Sequence, residues 1–444
     1  MTEIERSGFF HPAKPVYRFT ILFFVALLTY GSYFAYDSLG AIAPLLIKAL
    51  GIGREQIGAT YSAYSVAAIF TVFIGGIIID KIGTRRASLL FSSLVVLGAT
   101  IVALANNMTM IYIGRIIFGM GSESLVVAQS SILARWFKGK ELALAFGIAL
   151  TLSRLGTIFS FNLEASIAKH FNSFRAALWA AVIFTILSFL SNVVYVIMDK
   201  HGEKYLSLKE EGVEEKIRLK DIKEFPRAYW YVVLLCVTFY SAIFPFTSLS
   251  TDFFHTKWGL PMTLTAAASG FFLQVKNFFI GIYRTAGGIT SIIMIASAVL
   301  APIFGGMVDR VGRRASIMIL GSLMMIPTYL LMGFTNIYPA WPMIVLGLAF
   351  SLVPAAMWPT VPLIVKEERV GTAFGLMTMI QNIGLMLFPY LNGKLRDMTH
   401  TYKASMVMFA FLGVVGLIFA ILLKREDKKM GGILEMPGIE AANS

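Results

Sequence analysis

The sequence predicts an all-α membrane protein in which twelve helices cross a bilayer as two halves of six. Two observations predict this fold. The chain of 444 residues is 57% hydrophobic and only 14% charged, whereas an average soluble domain has roughly 25% charged residues. Apolar runs of about 20 residues recur from end to end, and a helix of that length crosses a hydrocarbon core of about 30 Å.

The twelve apolar runs are separated by mostly short loops in which basic residues cluster. The formal charge of +13 therefore reflects the positive-inside pattern of membrane proteins, and we expect no nucleic-acid partner. Most Lys and Arg residues fall on the side that holds both termini, which predicts cytoplasmic termini. The predicted spans are 19–46, 57–79, 87–105, 110–135, 141–167, 176–198, 229–251, 287–307, 315–334, 340–364, 370–393 and 404–423.

The beginning of the chain is not typical of a cleavable signal peptide. The first 18 residues are polar and the apolar run that follows is too long for a signal sequence. The lone Cys236 lies inside an apolar run, which excludes a disulfide framework. Because no sorting extension is visible, the sequence favours a plasma membrane, or the cytoplasmic membrane of a bacterium, over a lysosome.

A strongly charged segment divides the chain at 199–228. We expect a cytoplasmic linker there, with a surface helix in its middle, between six-helix bundles at 1–198 and 229–444. The second bundle carries a long outer loop at 252–286 that is apolar enough to suggest a thirteenth span. An extra crossing would place the basic residues of the next loop outside, so a helix lying at the outer interface is the better interpretation.

The two halves repeat each other in sequence. GGIIIDKIGTRR at 75–86 recurs as GGMVDRVGRR at 305–314, and AFG at 145–147 recurs at 373–375. Internal duplication of six-span units is typical of secondary transporters, which bind their substrates near the membrane midplane where the repeats meet. The repeat therefore predicts a central site between the halves.

The repeated loop resembles the signature G-x-x-x-D-R/K-x-G-R/K-R/K of the major facilitator superfamily. Its glycines permit a tight turn, and its carboxylate can meet basic side chains or a helix N-terminus. The resemblance implies a charge-dependent latch that closes the inner side. The matching residues are Gly76, Asp80, Lys81, Gly83, Arg85 and Arg86 in the first copy, which has an extra Thr84, and Gly305, Asp309, Arg310, Gly312, Arg313 and Arg314 in the second.

The fourth span carries the G-R-x-x-x-G pattern of the same superfamily, at Gly114, Arg115 and Gly119. Small residues allow close helix approach in a bilayer. Arg115 lies near the outer end of this span. Two interpretations stay open for it, either extension of the side chain to the interface or pairing with an acid across the cavity.

Two opposite charges, Glu123 and Arg154, lie at matching depth in the fourth and fifth spans. Each is about 20 Å from the basic turn at 137–140 at 1.5 Å per helical residue, which is near the midplane. Ionisable groups are costly there and usually functional. A glutamate can receive an ammonium group and an arginine a carboxylate, which predicts a site for a zwitterion. The alternative is that the two charges neutralise one another.

The internal repeat bears on this choice. Glu123 corresponds to Ser351 and Arg154 to Asn382, so only the first half carries the charges. A scaffold ion pair would more naturally occur in both halves, and the asymmetry therefore favours a role in substrate binding.

Longer blocks resemble one branch of the superfamily, which contains the lysosomal dipeptide transporters of animals. The resemblance implies that Glu123 and Arg154 hold the two termini of a peptide, while the loop at 252–286 departs from the shorter connection of that branch. The blocks are GSYFAYD at 31–37, GRIIFGMGSESLVVAQ at 114–129, WFKGKELALAFG at 136–147, LSRLG at 152–156 and GTAFGLMTMIQNIGL at 371–385.

Other polar and aromatic residues are candidates for the wall of the same cavity. Asp37 lies closer to the outer mouth and is interpreted as a gate, a proton-sensitive acid or a plain interfacial acid. No histidine falls in the middle of a span, and no metal site is expected. The other candidates are Tyr33, Tyr36, Tyr64, Gln129, Tyr240, Trp358, Gln381 and Asn382.

These observations predict a carrier and not an enzyme. The sequence lacks the P-loop pattern G-x-x-x-x-G-K-[ST], so neither ATP nor another cofactor is expected. The resemblance implies a uniporter for dipeptides, with proton symport as the second hypothesis. We expect it to be embedded in lipid, to work by alternating access and to function as a monomer. A carrier for organic anions or monocarboxylates and a non-transporting receptor are the alternatives.

Overall fold

The computed structural model describes residues 11–137, 141–205, 224–264, 271–366 and 369–437. Within these residues the regular secondary structure is helical. The α-helices, numbered α1 to α13 in chain order, are Pro15–Ala41, Ala43–Leu50, Arg54–Leu104, Met108–Phe137, Leu142–His170, Phe174–Glu203, Arg227–Trp258, Phe271–Arg284, Ala286–Val311, Arg314–Phe334, Ala340–Ile364, Val370–Thr399 and Lys403–Lys429, and a short 3-10 turn follows at Ile433–Glu435.

Helix α3 has 51 residues and is broken at Gly83, where φ is 79° and ψ is 158°, a conformation that is essentially restricted to glycine. A straight helix of this length would extend roughly 75 Å, more than twice the thickness of a hydrocarbon core. In the first part of α3, the Tyr64 carbonyl lies against Gly119 of α4. In the second part, Gly98 lies against the backbone of Phe118, which is also in α4. Both parts of α3 therefore pack against the same stretch of α4. The chain therefore reverses at Gly83 and crosses twice.

Eleven helices within the described residues are long and apolar enough to span a membrane. The reversal at Gly83 adds a second crossing in α3, which gives the twelve that the sequence predicts. All-α architecture and a membrane-spanning bundle are thus confirmed. With twelve crossings, the first and last helices lie with their chain ends on one side, which we call the terminus side, and the opposite side is called the far side.

The first predicted span, 19–46, is wrong at its end because the helix breaks at Ile42. Pro44 follows in α2, and proline has no N–H with which to continue the hydrogen-bond pattern. The Gly40 carbonyl that Pro44 would have bound accepts the Thr251 hydroxyl instead, at 2.5 Å. A proline in the first half thus creates an acceptor for the second half.

The segment predicted as an outer loop at 252–286 is partly helical. Helix α7 continues to Trp258, so residues 252–258 belong to the seventh span and the loop prediction is wrong there. Helix α8 has 14 residues, about 21 Å at the helical rise, and is too short to cross. Its Phe272 and Phe279 side chains are 88% and 61% exposed, as expected of a helix at an interface.

The linker is shorter at its ends than the predicted 199–228, since α6 continues to Glu203 and α7 begins at Arg227. The surface helix predicted in its middle falls on 206–223, which lies outside the described residues. The basic turn at 138–140 also lies outside them.

The two halves meet closely on the far side. A Cβ atom on Gly58 would clash with the Pro389 carbonyl oxygen, and one on Gly287 would clash with that of Phe161. Backbones can approach this closely only where the side chain is a hydrogen atom. These contacts pack α3 against α12 and α5 against α9.

Candidate functional site

A cavity of about 190 Å³ lies at the centre of the bundle between the halves. Helices α1, α3, α4 and α5 form its wall in the first half, and α7 and α12 form it in the second. Among the described residues, the carboxyl and guanidinium groups of the wall, Asp37, Glu123 and Arg154, all belong to the first half. The lining residues are Ser32, Tyr33, Tyr36, Asp37, Tyr64, Ser122, Glu123, Val126, Arg154, Tyr240, Phe244, Thr378, Gln381, Asn382 and Leu385.

Glu123 is held on the cavity wall by a tyrosine of α3. The Tyr64 hydroxyl donates to Glu123 Oε1 at 2.6 Å and lies 3.1 Å from the Ser122 hydroxyl oxygen. This bond fixes one carboxylate oxygen and leaves capacity at the other, because an ionised carboxylate accepts at several positions.

Arg154 is held by rings and not by a carboxylate. Its Cζ lies 5.7 Å from the Tyr33 ring centroid and 5.2 Å from that of Phe350, which are cation–π distances. One guanidinium nitrogen lies 3.9 Å from the Met294 sulfur, and the buried Nε has no partner among the described residues. The guanidinium therefore faces the cavity with unused donors.

Glu123 and Arg154 do not form an ion pair with each other in the described part of the chain. This geometry contradicts the interpretation in which the two charges merely neutralise one another. Two opposite charges on one wall, without direct contact, leave room for a ligand that has both charges.

Asp37 is not an interfacial acid, as one interpretation of the sequence had it. It is only 3% exposed, lines the cavity and accepts a hydrogen bond from Thr157 Oγ1 at 2.7 Å. The acid therefore belongs to the interior of the bundle, where α1 meets α5.

The second half contributes neutral groups. Trp358 Nε1 donates to the Tyr240 hydroxyl at 2.9 Å, which orients that hydroxyl toward the cavity, so Trp358 lies behind the wall and not in it. The Cys236 thiol donates weakly to the side-chain oxygen Oε1 of Gln381 at 3.4 Å. The buried Oδ1 of Asn382 has no hydrogen-bond partner in the described part of the chain and remains an unused acceptor.

Of the predicted wall residues, Gln129 and Trp358 are not part of it. Gln129 Nε2 donates to the Val25 carbonyl at 2.7 Å and to Thr29 Oγ1 at 3.2 Å, and so joins α4 to α1. The sequence analysis missed several wall residues. The missed residues are Ser32, Ser122, Val126, Phe244, Thr378 and Leu385. Two of them, Thr378 and Leu385, lie three and four residues from Gln381 on α12, and this helical spacing was a signal for them.

Neither interpretation of Arg115 is correct. The side chain is 2% exposed, so it does not reach the interface, and it pairs with no acid in the described residues. It donates to the carbonyls of Ala35, Tyr36 and Thr60 at 3.2 to 3.4 Å. The rings of Tyr36, Tyr61, Tyr64 and Phe118 surround it at 4.9 to 5.4 Å.

The first signature loop is anchored within its own half. Arg85 donates to Asp199 at 2.5 Å and to Glu203 at 2.5 Å, and Arg135 donates to the same Asp199 at 2.6 Å. The Trp136 indole donates to Asp199 at 2.6 Å. Asp80, Lys81 and Arg86 are exposed and Gly76 has open space around it.

The second signature loop is anchored by the segment that follows α13. Gly312, with φ at 69°, lies against the Met436 backbone, and the Arg313 N–H donates to the Glu435 carbonyl at 3.2 Å. Arg314 is 3.9 Å from Asp309. Arg310 and Gly306 are exposed, and Gly305 has open space around it.

A polar junction on the far side, which the sequence analysis missed, joins the halves. Arg54 donates to both Asp252 oxygens at 2.9 and 3.2 Å, and Tyr402 donates to Asp252 at 2.6 Å. The Glu55 N–H donates to Asp397 at 2.8 Å. The terminus-side ion pairs Arg18–Glu141 and Arg85–Asp199 stay within the first half, and Arg369 binds Glu224 at the end of the linker, just before α7.

The described residues therefore give one conformation of the bundle. Polar and backbone contacts between the halves concentrate on the far side, whereas the terminus-side ion pairs named above do not join them. The cavity is closed toward the far side.

The comparisons with known proteins agree with this geometry. The family model described as "Major Facilitator Superfamily" matches residues 22–286 and 281–441. The "Lysosomal dipeptide transporter MFSD1" of Bos taurus is 31% identical over 437 residues, covering 95% of this chain and 88% of the relative.

Two solved structures share the fold. The nucleoside transporter NupG has a TM-score of 0.69 at 16% identity and covers 91% of this chain and 98% of its own. A point mutant of a peptide transporter POT, in complex with sulfate, has a TM-score of 0.70 at 14% identity, covering 97% of each chain. At these identities the structural likeness concerns the fold alone.

The twelve crossings, the repeated signature loops, the central cavity and the match along nearly the whole chain lead to one conclusion. This chain is a multi-pass membrane transporter that belongs to the Major Facilitator Superfamily, in the branch that contains the lysosomal dipeptide transporters.

Proposed function

We propose that this transporter moves dipeptides across its membrane by alternating access. The observation that carries the proposal is the pair of opposite charges, Glu123 and Arg154, which line one cavity wall without pairing with each other. A zwitterion supplies the missing partners at both positions. The curated relatives are named dipeptide transporters, which supports a short peptide as that zwitterion.

In this proposal the peptide binds with its ends apart on the first half. Its ammonium group donates to the Glu123 oxygen that Tyr64 leaves unused, and its carboxylate accepts from the Arg154 guanidinium. Charge-assisted bonds of this kind are short and about twice as strong as neutral ones. The neutral groups of α7 and α12, among them Tyr240, Gln381 and Asn382, face the peptide backbone and side chains.

The transport cycle alternates between two arrangements of the halves. Opening toward the far side requires that the Arg54–Asp252 pair and the Thr251–Gly40 bond break, while the terminus side closes. The signature loops, whose basic residues already bind acids within one half, are proposed to form the latch of the terminus-closed state.

Purified protein in liposomes provides the test. Liposomes loaded with unlabelled dipeptide should take up labelled dipeptide by counterflow, and the peptide should raise the unfolding temperature. Counterflow with monocarboxylates in place of dipeptides would favour the organic-anion carrier. Absence of any flux or thermal shift, together with stable co-purification of another protein, would favour a receptor.

Coupling and location are further parts of the proposal. Uniport is what the resemblance implies, and proton symport is the alternative. The curated relatives are named lysosomal, so they do not support the plasma membrane that the sequence favours. Cytoplasmic termini and a monomeric state stay predictions, which protease accessibility in oriented vesicles and mass measurement in detergent would test.

A further inference from the structure

A second acidic group lies buried in α5, behind the cavity wall. Glu164 is 0% exposed, and neither of its carboxylate oxygens has a hydrogen-bond partner among the described residues. It follows Arg154 on the same helix and lies about 15 Å closer to the far side. An ionised carboxylate without partners in a protein interior costs several kcal/mol. Glu164 is therefore neutral in this conformation and holds a proton.

A row of polar side chains on α5 extends from Glu164 toward Asp37 in the cavity wall. Thr157, Ser160 and Glu164 follow each other at spacings of three and four residues, which places them along one face of α5. All three are at most 1% exposed. Thr157 donates to Asp37 in the cavity at 2.7 Å. The Ser160 hydroxyl, one turn before Glu164 on the same face, also has no hydrogen-bond partner among the described residues.

The surroundings of Glu164 contain no cation that neutralises it within the described residues. The charged group at the other end of the polar row is an acid, Asp37, which Thr157 binds, and two ionised carboxylates would repel each other. Helix α9 has no charged residue before Asp309, at its opposite end. The titratable groups on the elements around this part of α5 are Tyr36 and Asp37 on α1, Tyr61 on α3, Arg115 on α4, Arg175 on α6, and Lys276, Tyr283 and Arg284 on α8.

The position of Glu164 links it to the movement of the halves. Phe161, one turn earlier, touches the backbone of Gly287 on α9 across the boundary between the halves. Separation of α5 from α9 on the far side would bring water to this part of α5. In the present conformation the contact between Phe161 and Gly287 closes that approach, whereas Ser160, Thr157 and Asp37 lie between Glu164 and the cavity.

We propose that Glu164 binds a proton that crosses the membrane together with the peptide. The proton enters from far-side water when the far side is open, and leaves through Asp37 and the cavity when it is closed. This inference rests on the proposed peptide transport and replaces the predicted uniport by proton symport. A zwitterionic peptide has no net charge, so each cycle carries one positive charge.

Liposomes containing the full chain distinguish the two modes, with alanylalanine as the probe. In the wild type, an inwardly directed proton gradient should drive accumulation of the peptide above its external concentration, and peptide addition should give a current of positive charge. Glu164→Gln mimics the protonated carboxyl. It should reduce accumulation and current at least tenfold, whereas exchange of labelled for unlabelled peptide, which needs no net proton movement, should persist.

Asp427→Asn is the matched control. Asp427 is also 0% exposed with one unpartnered oxygen among the described residues, but it lies at the terminus-side end of α13, away from the cavity. Its replacement should leave the current and the proton-driven accumulation at wild-type size, and equal losses in both variants would overturn the assignment.

Measurements on the wild type alone distinguish failure of the proton site from failure of peptide transport. Peptide exchange without proton-driven accumulation or current would overturn the proton site and leave peptide transport standing. Absence of exchange for every dipeptide would overturn the proposed function and the proton site with it. Both outcomes are readable even if Glu164→Gln fails to fold.

Discussion

The far-side junction makes a prediction about the balance between the two arrangements of the halves. Asp252→Asn removes the charge that binds Arg54 and leaves a side chain of the same shape that can still accept from Tyr402. Because the Arg54–Asp252 pair joins the two halves, its loss should destabilise the far-closed state relative to the far-open one.

The expected size follows from the exposure of the two partners. Removing one member of a fully buried ion pair costs about 3–5 kcal/mol. The Asp252 side chain is 2% exposed but that of Arg54 is 23% exposed, so water compensates part of the loss, and about 1.5–3 kcal/mol remains. Since about 1.4 kcal/mol is a factor of ten, the far-open population should rise roughly 10- to 100-fold.

Thiol labelling measures this population. The chain has a single cysteine, so Leu385→Cys in a Cys236→Ala background places one reactive thiol in the cavity wall. A membrane-impermeant maleimide added on the far side, with quencher on the other side, reaches it only when the far side opens. The initial labelling rate should increase with the far-open population.

Glu141→Gln is the control for this experiment. It removes the Arg18–Glu141 pair, which has similar chemistry but lies within the first half, and the labelling rate should stay at its starting value. An unchanged rate in Asp252→Asn, or an equal increase in both variants, would refute the idea that the far-side junction is the gate.

Four further predictions concern the cavity, the glycine contact and the first loop. Arg154→Lys should weaken dipeptide binding about 10- to 100-fold although it retains the charge, because an ammonium lacks the planar fork of a guanidinium. Glu123→Gln should weaken the binding of dipeptides with a free N-terminus at least tenfold more than the binding of N-acetylated dipeptides. Titration calorimetry tests both, and unchanged affinity or equal losses would contradict the assigned roles. Gly58→Ala should raise far-side labelling, since its Cβ would clash with a carbonyl oxygen of the other half, and an unchanged rate would contradict it. Asp199→Asn should cost about 3–5 kcal/mol, seen as a lower unfolding temperature, because two arginines lose a fully buried carboxylate; an unaltered temperature would argue against that anchor.

The fold was predictable because its signals are local. A run of about 20 apolar residues identifies a span by itself, and the paired loops reveal the repeat without any tertiary information. The ends of the elements were less predictable. The break at Ile42 depends on one proline. The continuation of α7 through 252–258 includes a polar residue, Asp252, which is stabilised by two residues distant in sequence. These are Arg54 at the start of α3 and Tyr402 just before α13.

The site was predictable where depth along a helix decides it. Glu123 and Arg154 are costly at the midplane wherever their neighbours lie, so spacing was enough to find them. Direction around a helix is harder to read in a bundle whose outer surface is also apolar. Spacing therefore does not separate Gln129, which faces α1, from Glu123 on the same helix. It also does not single out Glu164, because an acid near a span end usually reaches water.

The uneven distribution of charge across the cavity has a consequence for how substrate preference can evolve. If peptides bind as proposed, the first half binds the two charged ends, which all dipeptides share. The neutral wall of the second half contacts the side chains, which differ from one dipeptide to another. Substitutions on α7 and α12, at Phe244, Thr378 or Leu385, can then alter side-chain selectivity while the demand for free termini persists. During the cycle the second half moves relative to a substrate with which it forms no ion pair. No ion pair with the substrate therefore has to break at the step where the halves separate.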